Sequence, residues 1–195
     1  SSGEREKLAI SMGGLANFES KACSQVDVLL DQYEQWIHKK EEEVELLEPG
    51  YHSAAYSNLN KCKKALGRMK QGWGLVKEDE LARTAFCLAN RAMNAQRLRS
   101  KIPLRKATIS DRNVTFATGP SEQNETAGTW RPFQIGFLLA TIPDVLKTPR
   151  PERLNQDNDI VDLIFFPTGG GKTEAYLGVA AFSLCLLYTS DAADE

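Results

Sequence analysis

Residues 160–177 read IVDLIFFPTGGGKTEAYL, and their order decides which fold the sequence predicts. Ile160-Val161-Asp162-Leu163-Ile164-Phe165-Phe166 is a nearly continuous apolar run, the pattern of a strand buried on both faces of a parallel sheet. Pro167-Thr168-Gly169-Gly170-Gly171-Lys172-Thr173 follows, and a helical segment opens at Glu174-Ala175-Tyr176-Leu177. Strand, glycine loop and helix in that order are the setting in which a phosphate loop works. Triphosphate oxygens need several donors converging on a tight curve. Backbone N–H groups supply them only where no side chain blocks the approach, which accounts for Gly169, Gly170 and Gly171 beside Thr168. The helix start adds its own N–H groups and the positive end of its dipole. Lys172 would reach the β- and γ-phosphates of ATP and is the candidate catalytic residue. The Thr173 hydroxyl would ligate Mg²⁺. A chance GKT in a glycine-rich turn would show the same letters without the flanking strand and helix.

The general pattern GxxxxGK[ST] wants a glycine where Phe166 stands. Superfamily 2 helicases lack that glycine and read PTGxGKT, and the chain resembles them in this respect. Upstream, Trp130-Arg131-Pro132-Phe133-Gln134 resembles the Q-motif of the same enzymes, and Gln134 lies 33 residues before Pro167. That match implies that the Gln134 amide reads adenine, since an amide offers both a donor and an acceptor. A helix-capping Trp-Arg-Pro segment would look alike.

WRPFQIGFLLATIPDVL at 130–146, DIVDLIFFPTGGGKTEAYLGVAAFSL at 159–184 and AFCLANRAMNAQRL at 85–98 together resemble the helicase component of the DISARM anti-phage defence system. The resemblance implies an ATP-dependent DNA helicase or translocase with ATP and Mg²⁺ as cofactors, DNA as a partner and other defence-system subunits as further partners. It also implies an α/β fold class: a helical N-terminal region followed by the start of a RecA-like P-loop domain, truncated after the glycine loop. No DExH box follows Thr173, and the last residues, Cys185–Glu195, read as a translated library adapter. The expected organisation is therefore a helical region at 1–103, a linker with a short hairpin at 104–129, the opening of the ATP-binding domain at 130–184 and a non-native tail at 185–195. A buried strand without sheet neighbours has nothing to pack against, so the chain as it stands is expected to be inactive. Two other readings stay open: a P-loop ATPase of another kind, and a helical protein-interaction module with a vestigial ATPase.

The rest of the chain bounds these readings. It has 195 residues, 42% hydrophobic and 26% charged, with net charge -2, ordinary values for a soluble globular protein. A neutral total neither favours nor excludes a nucleic-acid partner. No run reaches the roughly 18 apolar residues of a membrane span, and no secretory signal opens the chain. Cys23, Cys62, Cys87 and Cys185 show no metal-ligand spacing, nor do His38 and His52. Free thiols in a reducing, cytoplasmic compartment are expected. Apolar spacing of three and four predicts helices over 20–47, 53–69 and 78–99, with Glu48-Pro49-Gly50 and the Gly72/Gly74 pair as breaks. The Lys39–Glu43 run reads as a solvated face or a binding surface. Lys61, Lys63, Lys64, Arg68 and Lys70 read as a solvated face or a phosphate contact. A further helix is predicted from Pro132, closed by Pro143.

Overall fold

Two glycines that look like a helix break turn out to mark a contact. In the computed structural model, which describes residues 8–100, 107–110, 113–116, 128–147 and 170–191, helix α3 runs unbroken from Pro49 to Glu78 through Gly67, Gly72 and Gly74. Gly72 is where the backbone of α5 (Pro132–Lys147) crosses: a Cβ there would lie 1.9 Å from the Leu139 carbonyl oxygen and 3.3 Å from Pro143 Cδ. Pro143 does not close α5 but sits inside it. Having no N–H, it cannot bond the Leu139 carbonyl four residues back, and the Gly72 backbone packs on that carbonyl instead.

The other helices follow from their sequence. In α2 (Ser20–Val44), Val26, Leu30, Ile37 and Val44 form the buried stripe. That spacing of four and seven presents one face to α3. Pro49 occupies the first turn of α3, where its missing N–H costs nothing. Asp79 ends α3 and, through Oδ1, accepts the Ala82 N–H at 2.8 Å. One side chain thus caps the start of α4 (Glu80–Ser100) and fixes the turn between two long helices. Lys63 pairs with Glu41, Lys70 with Glu34 at 2.8 Å and Lys77 with Asp27 at 3.3 Å along the α2–α3 seam. The lysines hold Glu34 and Glu41 below the ordinary carboxylate range. Lys63 and Lys70 therefore face carboxylates of the same molecule.

A short piece was not legible in the sequence: strand β1 (Ile10–Ser11) leads into helix α1 (Met12–Ala16), capped by Ser11 Oγ, which accepts the Gly14 N–H at 3.0 Å. Phe18, at φ 51, ends that turn. β1 pairs antiparallel with β4 (Thr129–Trp130), Ile10 opposite Trp130. The expected hairpin is present as β2 (Ala107–Ser110) and β3 (Asn113–Phe116), paired antiparallel. Helix α6 (Lys172–Asp191) follows the glycine loop and runs on past Leu184.

The α/β expectation is overturned. The described chain is mostly helical, and its only strands there are two short antiparallel pairs. The start of a RecA-like domain would need α6 to cover a parallel sheet. Instead α6 lies on α4 and α5, with Ala175, Gly178 and Phe182 buried against helices and against Trp130. The strand expected at 160–166 lies outside the described residues. Phe182, Trp73, Phe86, Trp130 and Leu138 belong to one continuous core that joins the N-terminal helices to α5 and α6.

Candidate phosphate-binding site

The site is the junction between the start of α5 and the start of α6. Trp130 anchors it. Its ring is buried against Gly178 of α6, where a Cβ would come within 2.9 Å of the ring. Its Nε1–H donates to Asn90 Oδ1 at 2.7 Å, and Asn90 Nδ2 donates to the Phe86 carbonyl at 2.8 Å. One turn on, Asn94 Oδ1 accepts the Gly128 N–H at 3.0 Å, while the Gly128 carbonyl accepts the Met12 N–H at 2.9 Å. Two asparagines four apart on the buried face of α4 thus hold the approach to α5, and every bond is made where water is excluded.

Arg131 and Gln134 come next. Gln134 is buried, and its Oε1 accepts the Arg131 N–H at 2.9 Å. That is half of a capping box, with glutamine on the third helical residue serving the N–H of the residue before the helix. Gln134 Nε2 donates to the Gly171 carbonyl at 2.7 Å, and Arg131 Nη1 donates to the Gly170 carbonyl at 2.7 Å. Both partners of the amide fix its orientation, since Arg131 N–H requires an acceptor and Gly171 a donor.

Gly171 has φ +84, and a Cβ there would sit 2.7 Å from Gln134 Nε2. A side chain at this position would be strained on both counts. Lys172 and Thr173 then open the 20-residue helix α6, with Thr173 exposed on its first turn. Glu174 meets Arg97 of α4 at 3.5 Å, and Tyr176 packs edge-on against Phe137 of α5 with ring centroids 5.6 Å apart. Of the residues picked out from the sequence, the structure brings Gln134, Gly170, Gly171, Lys172 and Thr173 to one place. Thr168 and Gly169 lie outside the described residues. Asn90, Asn94 and Arg131 support the site and were not singled out. The signal for Asn90 and Asn94 is a pair of asparagines at helical spacing on an otherwise apolar face, and Arg131 stands inside the Q-motif-like Trp130–Gln134 stretch.

The junction is chemically suited to a phosphate group. It combines a glycine at positive φ, the first-turn N–H groups of a long helix, a lysine and an exposed hydroxyl, the set that would hold a triphosphate and offer one oxygen to Mg²⁺. The thiols are a different case. Burial pushes Cys23, Cys87 and Cys185 above the usual thiol range, so none is a ready nucleophile at neutral pH. Among the described residues no three His, Cys, Asp or Glu side chains gather to hold a metal, and no helix is long and apolar enough to cross a membrane.

No known protein-family profile matches the chain. Over 171 residues, 87% of the chain, it is 30% identical to the DISARM protein DrmA of Bacillus paralicheniformis, and it is related to that protein. The matched stretch is 14% of the relative's length.

Proposed function

We propose that the chain carries the phosphate-binding loop of an ATP-driven helicase or translocase that acts on DNA in anti-phage defence. The observation that carries this reading is the junction itself, where Gly170 and Gly171 are held by the start of α5 and feed directly into α6. The relation to a DISARM protein supports the defence setting, and the resemblance of PTGGGKT to superfamily 2 helicases supports the motor. On this reading the Lys172 ammonium neutralises the β- and γ-phosphates, and the α6 N–H groups bind the phosphate oxygens. The Thr173 hydroxyl would hold Mg²⁺, which would supply charge neutralisation at the phosphoryl group. Partner subunits of the defence system complete the assembly.

The test is Lys172→Ala in the full-length protein. DNA-stimulated ATP hydrolysis and protection against phage should both be lost. Survival of either would sink the motor reading. A helical interaction module is favoured by one feature, the α2–α3 tip, which exposes Leu46, Leu47 and Tyr51. Under that reading Lys172→Ala leaves protection intact, whereas Leu46→Glu abolishes it.

A further inference from the structure

We infer that Arg131 and Gln134 are positioning residues that aim the amides of the phosphate loop, and that Gln134 does this in place of reading the base. The inference rests on the proposed phosphate-binding role of the loop.

In a planar trans peptide the N–H points opposite to the C=O. Fixing a carbonyl therefore fixes the direction of the next residue's N–H. Arg131 Nη1 holds the Gly170 carbonyl at 2.7 Å, which sets the Gly171 N–H. Gln134 Nε2 holds the Gly171 carbonyl at 2.7 Å, which sets the Lys172 N–H. Both carbonyls are drawn toward the start of α5, so the two N–H groups that follow them point away from it. Gly171 alone can be bent freely about its own φ and ψ, and two side-chain clamps on successive peptides remove that freedom. The donors are then oriented before any ligand arrives, which spares the ligand the ordering cost.

The geometry argues against base reading by the same side chain. Gln134 is 4% exposed, and its oxygen and its nitrogen are each bonded within the protein. The same side chain also serves the helix cap, its oxygen accepting the Arg131 N–H while its nitrogen donates to the Gly171 carbonyl. Arg131 is thus used twice, once through its main chain and once through its guanidinium.

Gln134→Met removes the amide at similar length with no change of charge, so Coulomb attraction to phosphate is untouched. The full-length protein is titrated with ATP, GTP and inorganic tripolyphosphate, in the wild type and the variant. A clamp predicts about tenfold weaker binding of all three, with the ATP-to-GTP ratio unchanged. Weaker ATP binding alone, with tripolyphosphate unaffected, overturns the inference and assigns Gln134 to adenine. Unchanged affinities for all three overturn it as well. A wild type that binds none of the three instead removes the phosphate-loop reading on which the clamp depends. If Gln134→Met disturbs the start of α5, Gln134→Glu keeps the cap acceptor. Its added charge weighs equally on the three ligands, so the ATP-to-GTP ratio still decides.

Discussion

Three glycines in α3 should respond to the same substitution with opposite signs. Gly67 and Gly74 face open space, with nothing within 4 Å of a Cβ. Alanine there keeps the helical backbone and removes unfolded-state freedom, which stabilises by roughly 0.5–1 kcal/mol at each site. Gly72→Ala gains the same intrinsic term and loses far more. Its Cβ would lie 1.9 Å from the Leu139 carbonyl oxygen, and ordinary contact begins near 3.4 Å. The α3 and α5 backbones would have to part by about 1.5 Å, and the obstacle is main chain that no rotamer change can move. Overpacking of this kind costs about 1–3 kcal/mol and more when backbone must shift, so the net effect is destabilising by at least about 1–2 kcal/mol. For a chain of 195 residues that lowers Tm by several degrees, since about 1 kcal/mol corresponds to roughly 2–4 °C at this size. Thermal and urea unfolding of the three single variants provides the measurement. If Gly72→Ala raised Tm as Gly67→Ala does, the α3–α5 crossing would be wrong, and with it the placement of the α5 start beside the glycine loop.

Other outcomes follow from single contacts. Trp130→Phe leaves the buried Asn90 Oδ1 without its donor and should cost about 1–3 kcal/mol in urea unfolding, with Asn90→Leu in the Trp130→Phe background recovering part of it. Gly171→Ala should weaken ATP binding strongly and also lower Tm by several degrees, because a side chain at φ +84 costs about 1–3 kcal/mol and would sit 2.7 Å from Gln134 Nε2. Burial, with a hydrogen bond to Cys62 second, pushes the Tyr33 phenol up to about 12. A folded pKa above the unfolded value near 10 means the stabilisation is complete below about pH 10 and is lost as pH rises toward 12. The stability difference between the wild type and Tyr33→Phe should therefore be flat at neutral pH and change only across that alkaline window. A change centred near pH 7 would refute the assignment.

The helices were legible wherever a buried stripe repeats at three and four residues, as in α2 with Val26, Leu30, Ile37 and Val44. Their ends were less so. Gly72 and Gly74 carry the composition of a break, yet a glycine that admits a neighbouring backbone and a glycine that ends a helix have the same letter. Pro143 has the letter of a helix stop for the same reason, yet α5 runs through it with the Gly72 backbone packed on the Leu139 carbonyl. α1 was illegible because five residues containing two glycines have no periodicity, and what holds them is the Ser11 cap together with burial of all five against α4. The α/β expectation failed on α6. An apolar helix after a glycine loop suits either a sheet or a helical bed, and the sequence of 172–191 does not say which. The cluster of Gln134 with Gly170–Thr173 could be read from motif spacing. The carbonyl clamp could not, because the same amide that can face a base can also face a peptide, and only its partners decide.

The most direct test of the account is calorimetric titration of Mg²⁺·ATP into the full-length protein and its Lys172→Ala variant. The account predicts a single saturable site in the wild type and its loss in the variant, with both proteins showing the same unfolding transition. Equal binding by the two proteins, or none by a folded wild type, would contradict a phosphate site at the start of α6.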